Sequence, residues 1–371
     1  MTIATYHRSA LLAIVAVGCT PCHAQDAVRM NQIQVIGSHN SYHAGLTPGV
    51  AAVLGKVNPQ AARSLEYSHP SLTRQLDNGV RQLEIDVYAD AKGGRYSRLA
   101  VTDMIAQAGL PPDPPYDPEH GMQQPGFKVM HVVGVDQRSN CMLLTDCLRE
   151  VRVWTQVHPR AVPLFVLIEA KQEETKLPGS PQPEVFTPAA FDALDAEIRS
   201  IFTPDELITP DGLRGSSSTL PEAIHDHGWP TLEKARGKVL FLLDNRKLSA
   251  MYSEGHPALR GRVLLTNSPP GTPESLFIEQ NDGSVAEINA LVKSGELVRT
   301  RTDEGTEQAR TNDTVRRNLV LSSGAQLIST DYPPGEKSRW TDFIVALPGR
   351  YRARCNPINA PTGCVDAEVE P

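Results

Sequence analysis

The chain has no long hydrophobic run after its first 24 residues, so no later segment could span a bilayer, which takes about 20 apolar residues. It has no excess of positive charge, since its formal net charge is −7. It also lacks internal repeats and any basic patch of the kind that binds nucleic acid. These absences exclude a cationic nucleic-acid surface. They predict a chain that is soluble or at most peripherally attached to a membrane.

The first 24 residues form a separate segment. Arg8 precedes an apolar run over 9–18, which is too short to span a bilayer but has the length of a signal-peptide core. Small residues at Cys22 and Ala24 predict cleavage after Ala24. We therefore expect an exported protein, periplasmic or secreted, that begins at Gln25. Lipid attachment at Cys19 is the less favoured alternative.

Two of the six cysteines lie in this segment, and four remain. An even number of cysteines in an oxidising compartment indicates disulfides. Short spacings favour Cys141–Cys147 and Cys355–Cys364, although the sequence does not fix the pairing. Neither pair has the spacing of a metal site, so we interpret both as loop staples.

Short apolar segments alternate with helical patterns along the chain. We predict strands over 33–37, 80–87, 128–132, 163–169, 238–243, 276–279, 297–301 and 325–329, with a possible extra strand over 262–265. Helical patterns occupy 71–78, 145–157, 191–202, 284–293 and 312–321. Continuous apolar runs such as PLFVLI suit strands buried on both faces of a parallel sheet.

This alternation predicts a distorted (β/α)8 TIM-type barrel with loop insertions, formed as a single domain by residues 25–371. An open doubly wound sheet is the alternative, but the chain has no glycine-rich phosphate loop to support it. Segments 92–126 and 203–236 are rich in turn residues and are predicted insertions. The tail after Asp331 is expected to be irregular.

Acidic residues alternate with apolar ones along the strand VRQLEIDV. Glu84 and Asp86 are two residues apart and therefore share one face of the strand. The same alternation describes a half-exposed strand. In a barrel, however, Leu83, Ile85 and Val87 would face the helices and the two carboxylates would point inward.

Other predicted strands also end in polar side chains. These residues are His39, Asn40, His131, Glu169, Lys171, Asp244 and Arg246. A charged residue is a common end for an apolar strand, so each has an ordinary explanation. In a barrel, however, all these strand ends converge on the face where active sites lie.

The converging side chains suit a particular chemistry. Asn40, Glu84, Asp86 and Glu169 offer the hard oxygen ligands that Ca²⁺ prefers. His39 and His131 could flank a phosphorus atom as donor, acid or base. With Arg246 and Arg301 as cations for phosphate oxygens, the set suits phosphodiester cleavage.

The sequence resembles the calcium-dependent phosphatidylinositol-specific phospholipase C family of the wider PLC-like phosphodiesterases. Four motifs carry the resemblance: SHNSYH at His39, LEIDVY at Glu84, VMH at His131 and VLIEAK at Glu169. It implies a distorted (β/α)8 barrel, catalytic His39 and His131, and a Ca²⁺ site formed by Asn40, Glu84, Asp86 and Glu169. Lys171, Arg246 and Arg301 are the candidate substrate-binding residues.

The resemblance also implies a mechanism on a phosphoinositide-type lipid. Glu84 or Glu169 would deprotonate the inositol 2-hydroxyl, His39 would stabilise the phosphorane, and His131 would protonate the departing diacylglycerol oxygen. The lysine pair of mammalian members is missing, since the matching region offers Asp244 and Arg246. Recognition of inositol with extra phosphates is therefore not expected.

Three alternatives remain at this point. A glycerophosphodiester phosphodiesterase shares the fold, but its first motif typically reads His-Arg where this chain has His39-Asn40; a sphingomyelinase-D-like enzyme is less favoured. A non-enzymatic exported protein that binds inositol or glycans would be expected to lose some of the six site residues.

We interpret Tyr42 and His43 as packing or loop residues, His69 and His158 as structural, and Ser38 and Ser41 as shaping the turn.

Overall fold

The computed structural model of the protein describes residues 27–371. The predicted signal peptide over 1–24 and the possible lipid attachment at Cys19 therefore lie outside the described residues. Within the described part of the chain, no helix is both long enough and apolar enough to cross a membrane.

Eleven strands join into one sheet in the described residues. They are β1 (Ile33–Ser38), β2 (Gln82–Tyr88), β3 (Lys128–Val129), β4 (Leu164–Ala170), β5 (Leu207–Ile208), β6 (Val239–Leu243), β7 (Leu265–Thr266), β8 (Phe277–Glu279), β9 (Leu297–Arg301), β10 (Leu327–Thr330) and β11 (Ala353–Cys355).

Eight of these strands close a parallel barrel. The sheet runs β6-β4-β2-β1-β10-β9-β8, with every neighbour parallel. Besides β4, β6 pairs with β5 at Val239–Leu240 and with β7 at Leu242–Leu243. A parallel bridge between Asn267, just after β7, and Phe277 of β8 joins the two ends. The expected TIM-type barrel is confirmed, and its thin β7–β8 seam accounts for the distortion.

Fourteen α-helices accompany the strands in the described residues. They are α1 (Pro48–Val57), α2 (Pro59–Ser64), α3 (Leu72–Asp77), α4 (Val101–Gln107), α5 (Leu144–Val157), α6 (Pro188–Ile201), α7 (Pro210–Arg214), α8 (Leu220–His227), α9 (Leu232–Ala235), α10 (Arg246–Tyr252), α11 (Val285–Lys293), α12 (Glu307–Thr311), α13 (Val315–Ser323) and α14 (Asp366–Val369). A large apolar core lies where strands such as β4, with every residue but Glu169 buried, and β6, with every residue buried, meet this helical layer.

One predicted barrel strand is wrong. The segment predicted over 128–132 forms only β3, a two-residue strand that pairs antiparallel with the end of β2. Its chain then turns, because the backbone N–H groups of His131 and Val132 both donate to the carbonyl of Asp136. The eighth barrel strand is instead β7, in the region of the possible extra strand.

The insertions and the tail take definite places. Segment 92–126 follows β2 at the carboxyl end of the barrel and contains α4, whereas 203–236 precedes β6 and contains β5 and three short helices. The tail is less irregular than expected, since β11 pairs antiparallel with β1 and α14 follows it. Both expected disulfides, Cys141–Cys147 and Cys355–Cys364, are confirmed.

Candidate active site

The GSHNS segment makes a tight turn at the carboxyl end of β1. A Cβ on Gly37 would lie 1.9 Å from Gln82 Oε1, so only glycine fits there. Asn40 adopts φ +45°, a left-handed conformation that asparagine tolerates better than most residues. The hydroxyls of Ser38 and Ser41 are 2.6 Å apart, and Ser41 Oγ accepts from Glu84 N–H at 2.8 Å. The two serines therefore link the first motif to β2.

His39 lies between a carboxylate and an arginine. Its Nδ1 is 2.7 Å from Asp331 Oδ1, and its Nε2 accepts from Arg301 at 3.2 Å. Burial and the positive charges of Arg301 and Arg299 hold the pKa of His39 well below its ordinary value. The ring is therefore neutral near pH 7, with its hydrogen on Nδ1 toward Asp331 and the lone pair of Nε2 toward Arg301.

Three carboxylates meet beside His39. Glu84 and Asp86 lie on β2, and Asp86 pairs in register with Glu169 on β4. Each of the three offers an oxygen within 4.8 Å of the others. Asp86 is fully buried, and neither of its oxygens has a hydrogen-bond partner among residues 27–371. Buried carboxylate oxygens without partners are costly unless a cation binds them, so this donor set fits Ca²⁺.

Two side-chain cations neutralise these carboxylates. Lys171 Nζ lies 3.2 Å from Glu169 and 3.5 Å from Asp86. Arg299 forms an ion pair with Oε2 of Glu84. Burial would lower the pKa of Lys171, but the negative charges of Asp86 and Glu169 raise it above its ordinary value. Burial raises the pKa of Glu84 to about 7, although Arg299 opposes this shift.

Asn40 lies at the edge of the carboxylate cluster. Its side-chain N–H donates to the Tyr67 hydroxyl at 2.9 Å, and the Tyr42 hydroxyl lies 3.4 Å from its Oδ1. Burial and the charge of nearby Asp86 raise the pKa of Tyr42 well above its ordinary value. Tyr42 is thus a neighbour of both Asn40 and Asp86, beyond the packing role that the sequence suggested.

His131 is held by a carboxylate outside the barrel strands. Its Nδ1 lies 3.1 Å from Asp136 Oδ2, and the same oxygen lies 2.9 Å from Nε2 of the fully buried His43. Burial alone would raise the pKa of Asp136, but the charge of His43 and the hydrogen bond from His131 lower it below its ordinary value. His43 is therefore part of the site framework, whereas the sequence analysis interpreted it as a packing or loop residue.

The remaining predicted residues differ in position. Arg301 contacts His39, and Lys171 contacts the carboxylates, as described above. Arg246 is exposed at the start of α10, and its guanidinium lies 3.2 Å from Asn267 Oδ1, so the structure does not bring it into the described cluster. His69 Nε2–H donates to the carbonyl oxygen of His39 at 2.9 Å, which is a supporting role consistent with its structural interpretation.

The sequence analysis missed three charged residues of the site: Asp331, Arg299 and Asp136. Asp331 directly follows β10, so the strand-end criterion applied elsewhere would have found it. Arg299 shares a face of β9 with Arg301, as Glu84 does with Asp86, and the alternation was a usable signal. Asp136 lies in a loop and carries no comparable sequence signal.

The chain is similar to known proteins over most of its length. The profile of the family "Phosphoinositide phospholipase C, Ca2+-dependent" matches residues 28–357. A calcium-dependent phosphoinositol-specific phospholipase C from a Pseudomonas species, in a myoinositol complex, has a similar fold. Its TM-score is 0.54 at 17% identity, over 90% of this chain and 96% of that one.

A Ca²⁺-dependent phosphatidylinositol-specific phospholipase C from Streptomyces antibioticus is also similar in fold. Its TM-score is 0.50 at 17% identity, over 82% of this chain and 95% of that one. Among curated protein sequences, none matches the chain significantly. At these identities the solved structures support the barrel fold, and the family profile carries the assignment.

Proposed function

The chain belongs to the Ca²⁺-dependent phosphoinositide phospholipase C family, and from this premise we propose that it cleaves a phosphoinositide-type diester. The products would be diacylglycerol and a cyclic inositol phosphate. One observation carries the proposal: His39 and His131, each hydrogen-bonded to its own carboxylate, flank a cluster of three buried or half-buried carboxylates. This arrangement offers an acid, a base and a cation site around one phosphorus atom.

Glu84, Asp86 and Glu169, with Asn40 beside them, are the proposed Ca²⁺ ligands. The oxygens of Asp86 support this role, because neither accepts a hydrogen bond from the described residues. When bound, Ca²⁺ would lower the pKa of a coordinated hydroxyl and neutralise charge on the phosphate. Lys171 is then the residue that the cation must compete with, since it lies within ion-pair distance of both Asp86 and Glu169.

We assign the base role to His39 rather than to a carboxylate. Its lowered pKa keeps Nε2 unprotonated, so that this atom, which accepts from Arg301 in the described structure, can take a proton. Asp331 Oδ1 at 2.7 Å orients the ring and stabilises the charge that forms on it. Glu84 is engaged by Arg299, and Glu169 by Lys171. This division differs from the one that the resemblance implied, in which His39 stabilised the phosphorane.

His131 is the proposed acid for the leaving oxygen. Asp136 accepts from Nδ1, which leaves Nε2 to give a proton. His131 lies near enough to His39 for a charge on one ring to act on the other. Arg301, only 15% exposed and bonded to His39, is the proposed phosphate-binding cation. Arg246 is too peripheral in the described structure for us to retain it in this role.

We also propose that the enzyme works outside the cytoplasm on a membrane surface. Two disulfides favour an oxidising compartment. A lipid substrate implies peripheral contact of the barrel mouth with a membrane, since the site lies at the carboxyl ends of the strands.

The test is cleavage of phosphatidylinositol vesicles by the chain beginning at Gln25, with Ca²⁺ or with a chelator, followed by phosphorus NMR. We expect cyclic inositol phosphate to form only with Ca²⁺. His39→Asn and Glu84→Gln should each lower the rate by at least about 10²-fold. His227→Asn, a change at an exposed histidine of α8, is the matched control and should leave the rate unchanged.

Other results would redirect the assignment. Turnover of glycerophosphoinositol without cleavage of the intact lipid would move the chain to the glycerophosphodiesterases. Binding of inositol phosphates without turnover of either substrate would indicate a non-enzymatic protein.

A further inference from the structure

A second cluster of metal-ligand type lies next to the carboxylate site. His43 Nε2 and His131 Nδ1 approach the same atom, Asp136 Oδ2, at 2.9 and 3.1 Å. The side chains of His43 and Asp136 are 0% and 1% exposed, whereas that of His131 is 21% exposed. Two ligands are therefore enclosed, and the third opens to the active site.

The two nitrogens lie within 4.8 Å of each other, and their separations from Asp136 Oδ2 suit a small tetrahedral cation. Bonds of roughly 2.0–2.1 Å place neighbouring ligand atoms of a tetrahedral site about 3.3 Å apart. The existing separations from Asp136 Oδ2 need to widen by only a few tenths of an ångström. Two imidazoles and one carboxylate suit Zn²⁺ and similar metals, while Ca²⁺ prefers an all-oxygen shell.

The backbone holds the three ligands in place. His131 and Val132 donate to the carbonyl of Asp136 at 3.2 and 2.9 Å, and Asp136 N–H donates back to Val132 at 2.8 Å. His43 forms an antiparallel bridge with Ser139, just before the Cys141–Cys147 disulfide. The His43 ring packs 4.6 Å from the Tyr67 ring, and its Nδ1 has no hydrogen-bond partner among residues 27–371.

We propose that His43, His131 and Asp136 form an inhibitory site for a zinc-type divalent cation, distinct from the Ca²⁺ site. The inhibitory part rests on the proposed role of His131 as the acid. A metal on Nδ1 displaces the hydrogen from that atom and fixes the ring as the tautomer protonated at Nε2. The ring then cannot take a second proton, and a neutral metal-bound imidazole is a much weaker acid than an imidazolium. Proton transfer to the leaving oxygen therefore stops.

The site itself is tested by spectroscopy that does not depend on activity. The full chain from Gln25, saturated with Ca²⁺, is titrated with Co²⁺, whose four-coordinate complexes have intense visible absorption. We expect the visible absorption to saturate at one equivalent of Co²⁺ per chain. It should be lost in His43→Gln and retained in Asp86→Asn. His69→Gln is the matched control, because it alters another buried histidine bonded to a carboxylate, Glu336.

Thermal melting and circular dichroism show whether His43→Gln folds, and Asp136→Asn provides a second variant if it does not. Three results would each overturn the proposed metal site. They are no Co²⁺ absorption, absorption that survives in both variants, and absorption that additional Ca²⁺ removes. These readings stand whatever substrate the enzyme cleaves.

The inhibition is tested by titrating Zn²⁺ into the phosphatidylinositol assay at two saturating Ca²⁺ concentrations. We expect the same half-inhibiting Zn²⁺ concentration at both. In His43→Gln we expect this half-inhibiting Zn²⁺ concentration to rise by at least about tenfold. Inhibition of the variant is measured against its own rate without Zn²⁺. A Co²⁺ signal without inhibition by Zn²⁺ would overturn the inhibitory role, and relief by Ca²⁺ would assign the effect to the carboxylate site.

Discussion

At the scale of single residues, the site is organised by charge compensation. Each histidine of the proposed pair faces a buried carboxylate, and the carboxylate cluster faces two cations. A buried charge without a partner costs several kcal/mol, so each member constrains the protonation or position of another. A substitution of one member should therefore change activity or stability by altering the protonation or position of the partner that remains.

Asp331→Asn should lower kcat by at least about 10²-fold with little change in KM. An amide at this position can donate to Nδ1 of His39, which would move the hydrogen to Nε2 and remove the proposed base. Initial rates at saturating lipid measure the effect. Asp342→Asn, at a carboxylate 86% exposed on the surface, is the control. If Asp331→Asn retains more than half of the activity, His39 does not depend on this carboxylate.

Lys171→Met should strengthen Ca²⁺ binding by at least about tenfold, because it removes a cation that holds Asp86 and Glu169. Calorimetric titration without substrate measures this affinity. Lys176→Met removes the same charge from an exposed position in the same loop and should change it little. Weaker binding in Lys171→Met would show that Lys171 supports the cation site.

At the scale of elements, strands β9 and β10 are joined at their carboxyl ends by Asp303. Its two oxygens accept from the hydroxyls of Thr302 and Thr330 and from the backbone N–H of Asp331. Burial and the charge of Asp331 raise the pKa of Asp303 from 3.8 to about 6. This junction sets the position of Asp331 relative to Arg301.

The charged form of Asp303 is thus disfavoured in the folded state. Its contribution to stability is fully present below pH 3.8 and is lost as pH rises through about 6, a change of about 3 kcal/mol. Relative to wild type, Asp303→Asn should therefore be more stable at pH 7 than at pH 4 by about 2 kcal/mol, because part of the change has already occurred at pH 4. Urea unfolding of both proteins at both pH values measures it, and any constant cost of the amide cancels. An equal difference at the two pH values would contradict the raised pKa.

The sequence predicted strands well where an apolar or alternating pattern extended over many residues. It predicted them poorly where pairing with distant strands determines whether a short segment forms a strand. Strands β2, β4 and β6 are continuous apolar or alternating runs, and their positions matched to within about two residues. Strand β7 has only two residues, and its role depends on β6 and β8 beside it. The apolar pattern at 128–132 resembled a barrel strand, but hydrogen bonds to Asp136 turn the chain away.

The same distinction applies to the candidate site. Residues at strand ends, such as His39, Glu84 and Glu169, could be predicted because parallel strands bring their carboxyl ends together. Asp136 and His43 could not, because loop contacts far apart in sequence bring them to His131. Arg246 follows a barrel strand, but the start of α10 carries it outward.

At the scale of the whole molecule, the tail seals the amino-terminal end of the barrel. Glu370 pairs with Arg81, which precedes β2, and also accepts from Val162 N–H before β4. Arg81 and Glu370 side chains are only 2% and 5% exposed. The guanidinium of Arg81 also lies 4.8 Å from the centre of the Trp154 ring on α5. Glu370 is therefore part of the amino-terminal end of the barrel, which we call the barrel floor.

Glu370→Gln should lower the free energy of unfolding by about 3 kcal/mol, because it leaves Arg81 buried without its counter-charge. Urea denaturation measures the loss, and kcat at a temperature well below melting should not change. Glu368→Gln, an exposed neighbour on α14, should have little effect on either quantity. An unchanged unfolding midpoint for Glu370→Gln would mean that the tail does not stabilise the barrel.

The position of the tail has a practical consequence for handling the protein. The carboxyl terminus and the histidine pair lie at opposite ends of strands such as the seven-residue β2, about 20 Å apart along the barrel axis. If each molecule is attached to a solid support through Pro371, the carboxyl end of the barrel, where the active site lies, faces away from that support. Because Glu370 is buried, the attachment needs a spacer beginning after Pro371 so that the anchor does not pull the tail from the barrel floor.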